Sequence, residues 1–83
     1  STNMQHKFLR FPDVKERTGY SRSTIYNRIT EGLFPKPVKI GIRAAAWPDY
    51  EVDAINAARI ASKSEDEIRT LVLKLETARK NTV

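Results

Sequence analysis

The chain of 83 residues has no cysteine, one histidine, three glycines and one tryptophan. Without cysteine there is no disulfide framework and no thiolate nucleophile or metal ligand, and His6 alone, close to a terminus, nearly excludes a His/Cys zinc centre. No apolar run approaches the roughly 20 residues of a membrane span, and no secretory apolar segment is present. A cytoplasmic protein without membrane association is the expectation. Ser1, Thr2 and Asn3 precede Met4 and look like residues added ahead of the natural start. A phosphate-binding loop with its lysine is missing as well. Asp49, Glu51 and Asp53 are the densest carboxylates, but on one helix they point in different directions, and no calcium-type glycine loop surrounds them. They are expected to be solvated charges favoured by a helix start. Neither enzyme activity nor a cofactor or metal is expected.

What the chain does have is positive charge, unevenly placed. The net charge is +5. Residues 1–48 carry nine Lys/Arg against three Asp/Glu, a net +6, whereas residues 49–83 carry six against seven, a net −1. An excess confined to one part of the chain suits a face that meets a polyanion. A core of this size is marginal, so a duplex or a partner subunit would add useful stability.

The three glycines and the prolines punctuate the pattern. Residues 8–19 suggest a short strand or extended lead-in and then a first helix, with Pro12 at its first position and Gly19 as its stop. Phe11, Val14 and Leu9 would supply its apolar side. Ser21 can cap a second helix in which Ile25 and Ile29 share a face, and Gly32 ends it. Two short helices across a glycine-containing turn form a helix-turn-helix pattern. Pro35 and Pro37 then forbid helix, and Val38–Ile40 and Arg43–Trp47 resemble a small hairpin with Gly41 in its tight turn. Pro48 and Asp49 open a third helix whose inward stripe is Val52, Ile55 and either Ala58 or the stem of Arg59, continued by Ile60. Ser64 and Glu67 form a capping box for a final helix, striped by Ile68, Leu71, Val72 and Leu75. Glu76 and Lys80 can pair one turn apart.

Opposite Ile25 and Ile29, the second helix would expose Arg22, Ser23, Tyr26 and Asn27. Arg can donate a fork to guanine O6 and N7, and Asn can bridge adenine N6 and N7. Ser21, Ser23 and Thr24 at the helix start suit phosphate contacts. Tyr26 could bond a phosphate or lie half-buried, and Arg28 could touch DNA or pair with an acid of the first helix. Lys36, Lys39 and Arg43 around the hairpin could enter a minor groove or follow a phosphate strand; alternatively the hairpin covers the core with Val38, Ile40 and Trp47. Trp47 is assigned to the core.

Residues 8–61 resemble the AlpA family of phage and prophage regulators. The pattern is carried by Leu9, Arg10, Pro12 and Val14, by the run from Thr18 to Tyr26, by Gly32, Phe34, Pro35 and Pro37–Lys39, and by Arg43 to Trp47 ahead of Glu51–Ala54. The resemblance implies a mainly α fold with a small β-hairpin wing, a winged helix-turn-helix related to MerR and to phage excisionases, occupying residues 8–61 between a tail at 1–7 and a C-terminal amphipathic helix at 62–83. It places the recognition helix at Ser21–Glu31. The DNA side becomes Ser21, Arg22, Ser23, Thr24, Tyr26, Asn27 and Arg28, with Lys39 and Arg43 on the wing. The implied function is double-stranded DNA binding that activates an integrase gene or directs recombination as an excisionase does, with an integrase or recombinase complex as a further partner. Two departures stand out. Asp53, Ala54, Ile55 and Asn56 replace the family's Asp-Ala-Trp-Ile, and Pro48 is unusual.

The last helix has two uses on this evidence. Its stripe could pack back on the domain, or pair with a second copy through Ile68, Leu71, Val72 and Leu75, and the second is favoured because a dimer doubles the phosphate contacts. A competing function is a protein-interaction adaptor that binds a recombinase or other regulator through this helix.

Overall fold

A computed structural model describes residues 7–81. The readings made above for Ser1–Asn3 and His6 lie outside the described residues. The architecture is mostly helical with a three-stranded antiparallel sheet. Strand β1 (Phe8–Leu9) precedes helices α1 (Phe11–Thr18) and α2 (Arg22–Glu31). Strands β2 (Val38–Gly41) and β3 (Ala44–Pro48) follow, then helices α3 (Asp49–Ile60) and α4 (Glu65–Ala78), the last running into a short 3-10 turn at Arg79–Asn81. The extended lead-in is thus a true strand, and it pairs with β3, giving the order β1-β3-β2.

β3 organises the molecule because it is the central strand. Leu9 lies opposite Trp47, and both are buried. The Trp47 indole N–H donates to the Pro35 carbonyl at 2.8 Å, which satisfies its one polar atom inside the core. On the other side Val38 faces Ala46 and Lys39 faces Ala45, and then the register shifts so that Gly41 faces Ala44. The turn is therefore Ile42–Arg43, and Gly41 ends β2 instead of forming the turn. Ile40 is exposed as well and does not cover the core, while Val38 is half-buried.

Helix boundaries follow local chemistry. Gly19 and Gly32 both adopt the left-handed conformation that closes a helix, at φ of 76° and 80°. After α2 the Leu33 N–H returns to the Arg28 carbonyl and the Gly32 N–H to that of Ile29, so two orphan carbonyls are satisfied. Ser21 accepts from the Thr24 N–H, and the Ser64–Glu67 capping box is complete. α3 starts at Asp49, directly after Pro48, whose missing N–H costs nothing there.

One core joins all four helices and the sheet: Leu9, Val14, Ile25, Leu33, Phe34, Trp47, Val52, Ile55, Ile68 and Val72. Ile55 of α3 is buried in this core together with Ile68 and Val72 of α4. Ile60 is a correction, since it is 84% exposed and the inward stripe of α3 ends at Ala58.

The expected dimer surface is also corrected. Ile68 and Val72 are buried within the single chain, and Leu71 and Leu75 pack half-buried against the same core. Within the single chain this stripe is occupied in cis, so a second copy or an adaptor's partner would have to displace α4 from the core to use it. The turn before α4 makes the return possible: Ser62 adopts φ +60° while the Lys63 N–H bonds the Ala58 carbonyl.

Polar contacts seal α4 in place. Arg79 meets the fully buried Glu51 twice, Nε to Oε2 at 2.9 Å and Nη2 to Oε1 at 2.6 Å. Its Nη2 also donates to the Lys36 carbonyl, and Glu76 accepts from the Lys36 N–H at 2.9 Å. The Glu51 hydrogen bond holds the Arg79 guanidinium more firmly protonated than usual. Glu51 is therefore not a solvated helix-start charge, and Glu76 bonds the backbone of residue 36 from one turn before Lys80.

Candidate nucleic-acid interface

The exposed side of α2 is built by subtraction. Ile25 is fully buried and Ile29 half-buried, which fixes the rotation of the helix. At 100° per residue, Ser23 and Asn27 then lie on the outermost ridge, with Arg22 and Tyr26 on one flank and Thr24 and Arg28 on the other. Ser21, Arg22, Ser23, Tyr26 and Asn27 are exposed, while Thr24 and Arg28 are half-buried. No acidic residue stands in the first turn.

At the N-terminus three hydroxyls cluster. Ser21 Oγ lies 3.0 Å from Thr24 Oγ1 and 3.4 Å from Ser23 Oγ, besides capping the Thr24 N–H. Ser21 thus has a structural duty that competes with any external contact. The arginines rest on aromatic rings. Arg22 places its guanidinium 4.5 Å from the Phe11 ring centroid, and the Tyr26 ring lies 5.7 Å from the same ring. Tyr26 is 48% exposed, so it joins packing and surface. Arg28 stacks on Tyr20 at 4.9 Å and forms no ion pair with an acid of α1 among the described residues. Asn27 has no side-chain partner among the described residues and is free for an external one.

The hairpin adds Lys39 on β2 and Arg43 in the turn, both exposed. A shallow cleft lined by Arg10, Phe11, Arg22, Tyr26 and Pro37 separates α2 from it. The backbone leading into the hairpin is held from three directions: Trp47 on the Pro35 carbonyl, Glu76 on the Lys36 N–H and Arg79 on the Lys36 carbonyl.

Elsewhere several charged groups have partners. Asp53 pairs with Arg17 at 3.0 Å and Glu51 with Arg79, while Asp49 accepts from the Tyr50 N–H at 2.7 Å, so the acidic trio of α3 does not converge on one point. Among the described residues no group of three or more His, Asp or Glu side chains could hold a metal, and no helix is long and apolar enough to cross a membrane.

The family model for the prophage CP4-57 regulatory protein (AlpA) matches residues 7–60. The chain belongs to the AlpA family. An uncharacterised protein of Enterobacteria phage P4, ORF88, is 48% identical over 71% of this chain and 67% of its own length. The DNA-binding transcriptional activator AlpA of Escherichia coli (strain K12) is 32% identical over 57% of this chain and 76% of its own length. No solved structure matches. The segment matched by the family model ends at the C-terminus of α3, so α4 and Arg79 lie beyond it, while Glu51, the salt-bridge partner of Arg79, lies within it. Sequence reasoning missed that bridge, whose partners stand 28 residues apart. The stem of Arg59 was a candidate for the inward stripe, but its place 4.7 Å over the Tyr20 ring was not foreseen. An arginine ending an otherwise inward stripe was the available signal.

Proposed function

We propose that this AlpA-family chain is a sequence-specific regulator that binds double-stranded DNA by laying α2 in the major groove. The observation that carries it is the solvent-facing side of α2, where, among the described residues, Asn27 on the ridge has no side-chain partner and Arg22 on the flank is held only by an aromatic ring. Arg22 and Asn27 read base edges, and Ser21, Ser23, Thr24 and Tyr26 contact phosphates. Arg28 reinforces the backbone contacts. Arg22 can leave Phe11 for a base, since an exposed cation–π contact is worth about 0.5–1 kcal/mol and a bidentate base contact about 1–3 kcal/mol.

The hairpin serves as a wing, with Lys39 and Arg43 following a phosphate strand or entering the minor groove. The regulated step is activation of an integrase gene or directionality of phage recombination, with a recombinase as a protein partner. A second copy would have to meet the first through a surface other than the α4 stripe, which is already buried. No catalytic step enters this function.

Selection of bound sites from a random duplex pool tests it, followed by affinity measurements across salt. A recovered motif whose binding weakens steeply between about 50 and 200 mM salt is expected. Recovery of no motif, with only weak binding indifferent to sequence, would remove the function.

A further inference from the structure

The described arginines divide into two groups. Arg17, Arg69 and Arg79 each meet a carboxylate, on Asp53, on Glu65 and Asp66, and on Glu51. Arg10, Arg22, Arg28, Arg43 and Arg59 form no ion pair among the described residues. Four of these five belong to the basic first part of the chain. The fifth, Arg59, comes from α3, in the part whose charge is net negative.

Arg59 is not stray. Its guanidinium lies 4.7 Å from the Tyr20 ring centroid, and that of Arg28 lies 4.9 Å from the same centroid. Two cations therefore share one ring, which attracts them weakly and neutralises neither. Tyr20 Oη and Arg28 Nε are also buried without a hydrogen-bond partner. Like charges gathered with unsatisfied donors, and with no acid paired to them, describe a place prepared for an anion.

The location fits one anion in particular. Tyr20 immediately precedes the α2 cap, and Arg28 stands one turn after Thr24 on the flank of α2 opposite Arg22. The outer ridge of α2 is thus bordered on both sides by arginine on an aromatic ring, Arg22 on Phe11 and the Arg28–Arg59 pair on Tyr20. A helix about 10–12 Å across fills a major groove about 12 Å wide, so its two flanks face the two phosphate strands.

We propose that Arg28, Arg59 and Tyr20 form a second phosphodiester clamp, with Arg59 as its direct contact, gripping the strand across the groove from the Arg22 flank. The clamp rests on the DNA-binding function above. A lone phosphate contact positions the protein and carries no sequence information.

The test compares the intact chain with Arg59→Gln, which keeps the stem over Tyr20, and Arg59→Lys, which keeps the charge. Affinity for a selected site and for an unrelated duplex is measured from about 50 to 200 mM salt, with thermal unfolding as a control. Arg59→Gln should weaken both duplexes alike and lower the salt slope by about one, so that its deficit shrinks roughly threefold across that range. Arg59→Lys should retain most of the slope, and both variants should melt like wild type because Arg59 is exposed.

An unchanged slope in Arg59→Gln, while Arg22→Ala still weakens the selected site, overturns the clamp and leaves the DNA function standing. A loss confined to the selected site overturns it too, since it would make Arg59 a base reader. If wild type itself shows no salt-dependent duplex binding, the function and the clamp fall together.

Discussion

Helices α2 and α4 are opened by a serine cap, bury apolar residues spaced four apart or nearly so, and expose a polar side. The destinations of those polar side chains differ. On α4, Arg69 donates to the Glu31 carbonyl at 2.9 Å and thereby complements the end of α2, Glu76 accepts from the Lys36 N–H, and Arg79 just beyond reaches Glu51. On α2, Thr30 bonds only the Tyr26 carbonyl of its own helix, the arginines lie on rings, and Asn27 reaches nothing. Polar groups that the fold requires have found partners within it. Among the described residues Asn27 of α2 has none and Arg22 has only a ring, which is why this surface is the candidate for an external ligand.

The contrast breaks first at its strongest joint. Glu51→Ala strands the Arg79 guanidinium in a mostly buried position and should cost about 3–5 kcal/mol in chemical denaturation. Replacing both partners, Glu51→Leu with Arg79→Met, should recover most of that loss. Full stability in Glu51→Ala would mean that α4 is held by its apolar stripe alone.

On α2 the sign of the contrast reverses. Arg22→Ala and Asn27→Ala should each weaken the selected site by about 1–3 kcal/mol in a gel-shift titration. Their unfolding should change by no more than about 1 kcal/mol. A large stability loss with unaltered binding would turn α2 into a structural helix like α4.

A smaller effect lies at the α2 cap. Ser21→Ala should cost about 1 kcal/mol of stability and speed amide exchange at Thr24, whose N–H the hydroxyl caps. The smallest belongs to α4. The Ser64 backbone N–H, followed by its hydroxyl, holds the Glu67 carboxyl below its ordinary value. A depressed carboxyl stabilises the folded chain above the unfolded-state value and loses that contribution as pH falls through the folded-state value. The advantage of wild type over Glu67→Gln should accordingly shrink on acidification in thermal melts. An advantage independent of pH would detach the capping box from ionisation.

Much of the candidate interface was legible because it depends on neighbours in sequence. Ser21, Gly19 and Gly32 act within one turn of where they stand, and Ile25 alone fixes which way Arg22 and Asn27 point. Gly41 shows the limit. A glycine between two strand-like runs suggests a turn, yet a register shift against β3 places Ile42–Arg43 there instead. Ile60 continues the spacing of α3 but comes after the core has ended, so periodicity had nothing left to pack against.

Helix caps, the amphipathic periods and the confinement of excess positive charge to residues 1–48 were set by the chain itself, since each follows from backbone geometry or composition over a few residues. The direction in which α4 folds, the burial of Glu51 against Arg79 and the meeting of Arg28 with Arg59 on Tyr20 were decided only in three dimensions. Each needs groups distant in sequence to arrive together, and an apolar stripe is equally satisfied by its own domain or by a stranger until the core closes over it.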